Sequence, residues 1–274
     1  MWKRIDYHRL CVSLVRITYK KEIRQVQQPF GLYRRGIASS FFIAGNPQPH
    51  LPGYLEDKMA KVVLYSDEIS PPCRSVLLTA KAIGLELNIL ETSLASRDHL
   101  KEDYLKINPQ HTIPALNDNG FILAESHVIA CYLVDKYAKN DSLYPKDLQK
   151  RALINQQLIF DAERHFNPAK RVFKPIIFLD QKEIAEEGST ALKEAYEIMD
   201  KHLEGKKWFV GDSYTLADLC SAATTSSTSV VINLDDYPNV KAWLQRCEKE
   251  LPGYKEVNLP GATKLHAAIL AKLA

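Results

Sequence analysis

The chain has 274 residues, of which 46% are apolar and 25% charged, with a formal net charge of +3. That length suits one large domain or two ordinary ones with a full core, and no apolar run reaches membrane-spanning length. Residues 1–54 hold nine Lys and Arg against Asp6 and Glu22, whereas residues 59–274 hold 26 against 29 acids, so the main body is mildly acidic and a nucleic-acid partner is not expected.

The first 58 residues carry only short apolar patches broken by Arg and Lys, and Arg16 closes the first of them too early for a secretory signal. Arg34, Arg35 and Ser39-Ser40 in an acid-poor setting fit a mitochondrial transit peptide. Pro47, Pro49 and Pro52-Gly53 ahead of Met59 fit a linker behind a disordered leader, which is the reading preferred here. Five scattered cysteines, Cys11, Cys73, Cys131, Cys220 and Cys247, have no metal-ligand spacing and suit a reducing compartment.

Val62-Val63-Leu64-Tyr65 predicts a strand, Ser70-Pro71-Pro72-Cys73-Arg74 the start of a helix ended by Gly84, residues 85–90 a second strand and residues 97–107 a short amphipathic helix. The first two strands, joined by a crossover helix, should be parallel, with that helix's N-terminus at the carboxyl ends of the strands. Ser70 and Pro71 satisfy a plain N-cap with proline in the first helical position. The same residues have the spacing of a Cys-x-x-Cys redox motif with Ser in the first place, so a thiolate favoured by the helix N-terminus has to come from a ligand. Cys73, a turn into the helix, is expected to be buried.

Next, Asn108-Pro109 stops the preceding helix, and Ile113, Ala115 and Leu116 lead through Asn117-Asp118-Asn119-Gly120 into Phe121-Ile122-Leu123 as a hairpin. Ile113-Pro114 demands an edge, a first position or a cis turn. Glu125-Ser126 opens an apolar-periodic helix, with Ser126 expected as its N-cap. A free strand edge, a helix N-terminus and an acid in one segment form a cradle for a small anionic peptide.

With the segments 70–74, 108–114 and 125–127 side by side, residues 59–274, about four fifths of the chain, resemble a cytosolic glutathione S-transferase. Ser-Pro-Pro-Cys-Arg and Asn-Pro-Gln-His-Thr-Ile-Pro are most similar to the insect epsilon class, and the delta class shares several of these residues. The resemblance implies a thioredoxin-like α/β domain over 59–140, an all-helical domain over 147–274, a cytoplasmic homodimer, and glutathione as co-substrate rather than a resident cofactor. It implies Ser70 at the sulfur, His99 and His111 near the glycyl end, Thr112 as a further glutathione-binding residue, Ile113 on the cysteinyl backbone, Glu125 and Ser126 at the γ-glutamyl end, and His127 beside them. An acceptor pocket for small hydrophobic electrophiles would draw on Ile69, Phe166, Phe173 and Leu265, with Lys170 or Arg171 where the epsilon pattern has an arginine. Phe173 fits ordinary helix core equally well. The expected chemistry is conjugation, with hydroperoxide reduction or dehydrohalogenation as side activities. The alternatives are a thiol oxidoreductase using Cys73 and a non-catalytic module of the same fold.

Beyond a break at residues 139–146, helices are expected over 147–180, 182–203, 215–231, 237–250 and from about 262, the first kinked by Pro168 and Pro175. Thr215 with Asp218 forms a capping box, and Tyr214 with Leu219 a staple, as at the family's helix-capping signature. No histidine pair has metal-binding spacing, and residues 211–215 lack the second glycine of a nucleophile elbow.

Overall fold

Buried Val62, Leu64 and Ser66 alternate with half-buried Val63 and Tyr65, the period of a strand with two unequal faces. The computed structural model describes residues 62–273, so the readings of the first 58 residues lie outside it. Strand β1 (Val62–Ser66) pairs parallel with β2 (Asn88–Glu91) and antiparallel with β3 (Ala115–Asp118), and β4 (Phe121–Ala124) completes the order β2-β1-β3-β4. The second strand is shorter and later than residues 85–90, because Leu85 instead closes the preceding helix by donating to the Ala80 carbonyl.

Helix α1 (Pro71–Ile83) starts with proline at its first position and stops at Gly84, whose φ of 69° is the left-handed cap that glycine takes without a Cβ clash. The expected single helix over 97–107 is split. A 3₁₀ turn (Asp98–Leu100) ends at Lys101, whose extended backbone starts α2 (Glu102–Ile107). Asn119 and Gly120, at φ 53° and 92°, form the two-residue hairpin turn, which leaves Asn117 and Asp118 inside β3 rather than in the turn. Helix α3 (Ser126–Tyr137) joins α1 on one sheet face, where Val76, Ile129 and Leu133 pack on Val62, Leu64 and Leu116.

The helical half contains α4 (Leu148–Phe160), α5 (Asn167–Phe178), α6 (Glu186–Leu203), α7 (Leu216–Thr228), α8 (Pro238–Glu250) and α9 (Leu259–Leu273). Between α4 and α5 the chain widens into a π segment (Asp161–Phe166) two residues before Pro168, which has no N–H to donate, while Pro175 is carried inside α5. A second π turn (Tyr254–Asn258), absent from the sequence reading, leads into α9. Every residue of α7 is buried. Its run of Ala, Ser and Thr is small enough for α1, α4, α8 and α9 to pack around it, and its hydroxyls turn back onto the helix, as when Thr225 donates to the Ser221 carbonyl at 2.8 Å.

Candidate functional site

Strand register brings the candidate residues to one edge. Tyr65 pairs with Ala115 and Ala115 with Ala124, while Ser66 pairs with Glu91, so the segments that follow β1, β2 and β4 and precede β3 all leave the same end of the sheet. Those segments carry Ser70, His99, Ile113 and Glu125.

The 67–70 turn is built tightly. Asp67 accepts from the Ile69 amide at 3.1 Å and the Leu94 amide at 2.9 Å, and the Ser70 amide donates to the Asp67 carbonyl at 3.1 Å. Ser70 is the N-cap residue of α1 by backbone, yet its hydroxyl makes no capping bond. Burial pushes the nearby Cys73 thiol up further than its polar neighbours, Ser70 first among them, bring it down. Cys73 is fully buried, as expected.

Asn108 shapes the second segment. Its amide donates to the Thr112 carbonyl at 2.9 Å and hydroxyl at 3.1 Å, and Tyr104 donates to the same carbonyl at 2.6 Å. His111 is exposed with φ 48°, Ile113 is buried, and the Ile113-Pro114 bond is cis. Among the described residues the Ile113 backbone makes no hydrogen bond outside regular structure. His99 Nδ1 is the one buried side-chain polar atom without a partner among the described residues, and burial followed by the nearby His111 lowers the His99 pKa.

The third segment corrects the sequence reading. Glu125, not Ser126, occupies the N-cap position of α3, because at φ 69° it turns the chain one residue earlier and its carbonyl accepts from the Ile129 amide at 2.9 Å. Ser126 is thereby the first helical residue and buried, while the Glu125 side chain is exposed and caps nothing. His127 turns into the protein and meets Asp161 at 2.9 Å. Burial pushes the Asp161 carboxyl up, but bonds to His127 and to His165, 3.1 Å away, outweigh it and hold it below the usual range. Sequence reasoning missed Asp161 and His165, whose only signal was a spacing of four on a helix.

The acceptor-side candidates are dispersed. Ile69 and Phe166 are half-buried, Lys170 is exposed, and Phe173 and Leu265 belong to the helical core, so the core reading of Phe173 applies. Arg171 is exposed, pairs with Glu187 on α6 at 3.0 Å and lines a cleft of about 160 Å3 with Glu163, Arg164 and Glu194. That cleft shares no residue with the sheet edge.

Residues 64–141 match the family model described as glutathione S-transferase, N-terminal domain, and residues 159–250 match glutathione S-transferase, C-terminal domain. Glutathione S-transferase D7 of Anopheles gambiae is 40% identical over 218 residues, which cover 77% of this chain and 98% of the relative. A Nilaparvata lugens delta-class glutathione transferase is similar in structure with a TM-score of 0.73 at 40% identity, covering 77% of this chain and 99% of its own. An epsilon-class enzyme from the housefly, Musca domestica, has a TM-score of 0.73 at 38% identity, covering 77% and 98%. Likeness to the two insect classes is thus nearly equal.

Proposed function

The chain belongs to the glutathione S-transferase family, and we propose that it binds glutathione at the sheet edge and delivers the thiolate to small hydrophobic electrophiles. The observation that carries this reading is the Ser70 hydroxyl, placed at a helix N-terminus beside the Ile113 and Glu125 segments and not used to cap that helix. In this reading Ser70 donates to the glutathione sulfur, the Ile113 backbone pairs with the cysteinyl unit, Glu125 and Ser126 hold the γ-glutamyl end, and His99, His111 and Thr112 border the glycyl carboxylate. His127 ties that rim to Asp161.

A free thiol with a pKa of about 8.5 is only slightly ionised near neutrality, and lowering it by ~2 units, worth about 2.7 kcal/mol, makes the thiolate dominant. A hydroxyl donor and the positive end of α1 both act in that direction. The sulfur then forms its bond to the electrophilic atom while the leaving group departs with its electron pair. Buried Cys73, with its thiol pushed up, is a poor nucleophile, which weighs against a thiol oxidoreductase.

The same reading assigns residues 59–140 to glutathione and 147–274 to the acceptor, with Ile69, Phe166, Lys170 and Arg171 as the acceptor-side residues that reach solvent. It takes the enzyme as a cytoplasmic homodimer. Exposed Phe121 and Ile122 on β4, Val128 on α3 and Leu153 and Ile159 on α4 support association. No helix among the described residues is long and apolar enough to cross a membrane. The test is retention on a glutathione resin together with glutathione-dependent turnover of a panel of electrophiles. Retention with turnover is expected, and a folded chain showing neither would overturn the proposal.

A further inference from the structure

Behind the 67–70 turn lies a cation without a directly bonded counter-ion. Arg74 is fully buried, and each of its acceptors is neutral: Nε donates to Asn258 Oδ1 at 3.0 Å, Nη1 to the Glu68 carbonyl at 2.8 Å, and Nη2 to the Ser227 hydroxyl and, at 3.4 Å, the Ala223 carbonyl. Two acids on its own side, Asp67 and Glu68, favour its charge from a distance, but neither carboxylate bonds it. The Asp67 carboxylate holds two backbone amides, and the Glu68 carboxylate pairs with Lys264 on α9. Among the described residues Arg74 makes no ion pair.

The other groups that face it add no negative charge. Burial pushes Cys73 and Tyr254 up, so both are neutral at physiological pH, and His266 of α9 is bonded to the Ser226 carbonyl at 2.8 Å. Burial also brings Arg74 itself down to about 10, which leaves it charged at neutrality. Retaining an unpaired charge in a core is costly, and a hydrogen-bonding role alone would not require one. The site is also closely fitted. A Cβ on Gly261 would lie 2.0 Å from the Glu68 carbonyl oxygen and 2.9 Å from Arg74 Cδ, so only glycine lets α9 seat the turn against the guanidinium.

The bonded Glu68 carbonyl is two residues from Ser70, so the charge lies within about 10 Å of the Ser70 side chain. We propose that Arg74 is a positioning residue whose buried guanidinium, with no directly bonded counter-ion and held behind the 68–70 turn by α7 and the 254–258 turn, favours ionisation of the thiol bound at Ser70. The inference rests on the reading of this edge as a glutathione site and extends it to a residue that does not touch the ligand. The N-terminus of α1 and a hydroxyl act on the sulfur from in front, and the protein's own charge acts from behind.

The test is a pH titration of the ultraviolet thiolate absorbance of glutathione bound to the full chain, for the parent, Arg74→Met, Arg74→Lys and Asn258→Asp. Arg74→Met should raise the apparent pKa by about one unit, the effect of one charge at about 10 Å in an effective dielectric of about 20. Arg74→Lys should restore most of the shift. Asn258→Asp keeps the guanidinium and places a carboxylate against Nε, so it should raise the pKa in the same direction. A folded, glutathione-binding Arg74→Met that titrates with the parent would overturn the inference, as would an unshifted Asn258→Asp if Arg74→Met fails to fold. A parent chain that shows no bound thiolate at any pH would instead bring down the glutathione reading and this inference with it.

Discussion

Helices α1 and α7 both begin at a hydroxyl residue, and the two hydroxyls are used in opposite ways. At α7, Thr215 accepts from the Ala217 amide at 3.2 Å, while Asp218 returns to the Thr215 amide at 2.9 Å and also accepts from the Phe209 amide and the Trp243 indole, each at 3.0 Å. At α1, the Ser70 hydroxyl caps nothing. The same division holds for buried polar atoms more widely, since His99 Nδ1 at the sheet edge has no partner and the polar side chains inside the helical half do. A polar group whose partners are all protein holds the fold together, whereas one placed with equal care and left unpartnered is available to a ligand.

The largest effect should come from breaking the satisfied end. Asp218→Ala strips acceptors from two buried amides and an indole at once, and at 1 to 3 kcal/mol for each such group the loss should reach about 3 to 5 kcal/mol. Denaturant unfolding should show it as a lower midpoint, with the Michaelis constant for glutathione unchanged in the protein that remains folded. A weakened glutathione affinity with intact stability would reverse the two roles.

Ser70→Ala addresses the unsatisfied end and should do the reverse. Stability should hardly change, because no cap is lost, while turnover at neutral pH should fall by up to roughly 25-fold, since a thiol pKa raised from about 6.5 to about 8.5 cuts the thiolate fraction at pH 7 from about three quarters to about 3%. The deficit should narrow as the pH approaches the free-thiol value, where ionisation needs no help. Cys73→Ser serves as the control, with a modest packing cost and a nearly unchanged pH profile. A dead Cys73→Ser beside a normal Ser70→Ala would restore the oxidoreductase alternative.

The contrast between the two ends was partly legible in the sequence. The capping box and the glycine stop at Gly84 are local rules and appear where the residues placed them, and the hairpin forms at the expected cluster with its turn narrowed to Asn119-Gly120. The α3 cap did not, because Glu125 adopts a positive φ that no propensity assigns to glutamate. Arg74 stood in plain view within the motif at Ser70. Its meaning depends on Ala223, Ser227 and Asn258, which lie 149 to 184 residues away and cannot be paired with it by periodicity. Lys170 and Arg171 were one residue apart in an unresolved register, and only the Glu187 pair shows which way Arg171 turns.

Glu125→Ala and Ser126→Ala test the helix start at which an exposed acid caps nothing. As anchors of the γ-glutamyl end they should raise the Michaelis constant for glutathione about tenfold or more, corresponding to roughly 1.5 to 3 kcal/mol for a charge-assisted bond, with a smaller effect on turnover. Stability should be little altered, since the Glu125 side chain bonds nothing in α3. Unchanged affinity in both variants would remove these residues from the site.

The smallest effect separates satisfaction of polar groups from membership of one half or the other. Asp118 is buried in the same half as Ser70, but it is fully partnered, accepting from Tyr132 at 2.6 Å, Tyr137 at 2.8 Å, Asn119 at 2.8 Å and Lys136. Burial alone would push its carboxyl up, and these bonds outweigh burial and hold it well below the ordinary carboxylate range. A depressed pKa contributes stability that is present above the unfolded value, near 3.9, and is lost as the pH falls through the folded value. Asp118→Asn should therefore cost about 1 to 3 kcal/mol at pH 7, hold that deficit down to about pH 5, and lose it progressively below pH 4 as the parent protonates. Unfolding midpoints of parent and variant across that range decide the matter. A deficit that persists unchanged at pH 2, or a loss of glutathione affinity at pH 7, would mean that position in the glutathione-binding half, rather than completeness of hydrogen bonding, governs what a polar residue does in this protein.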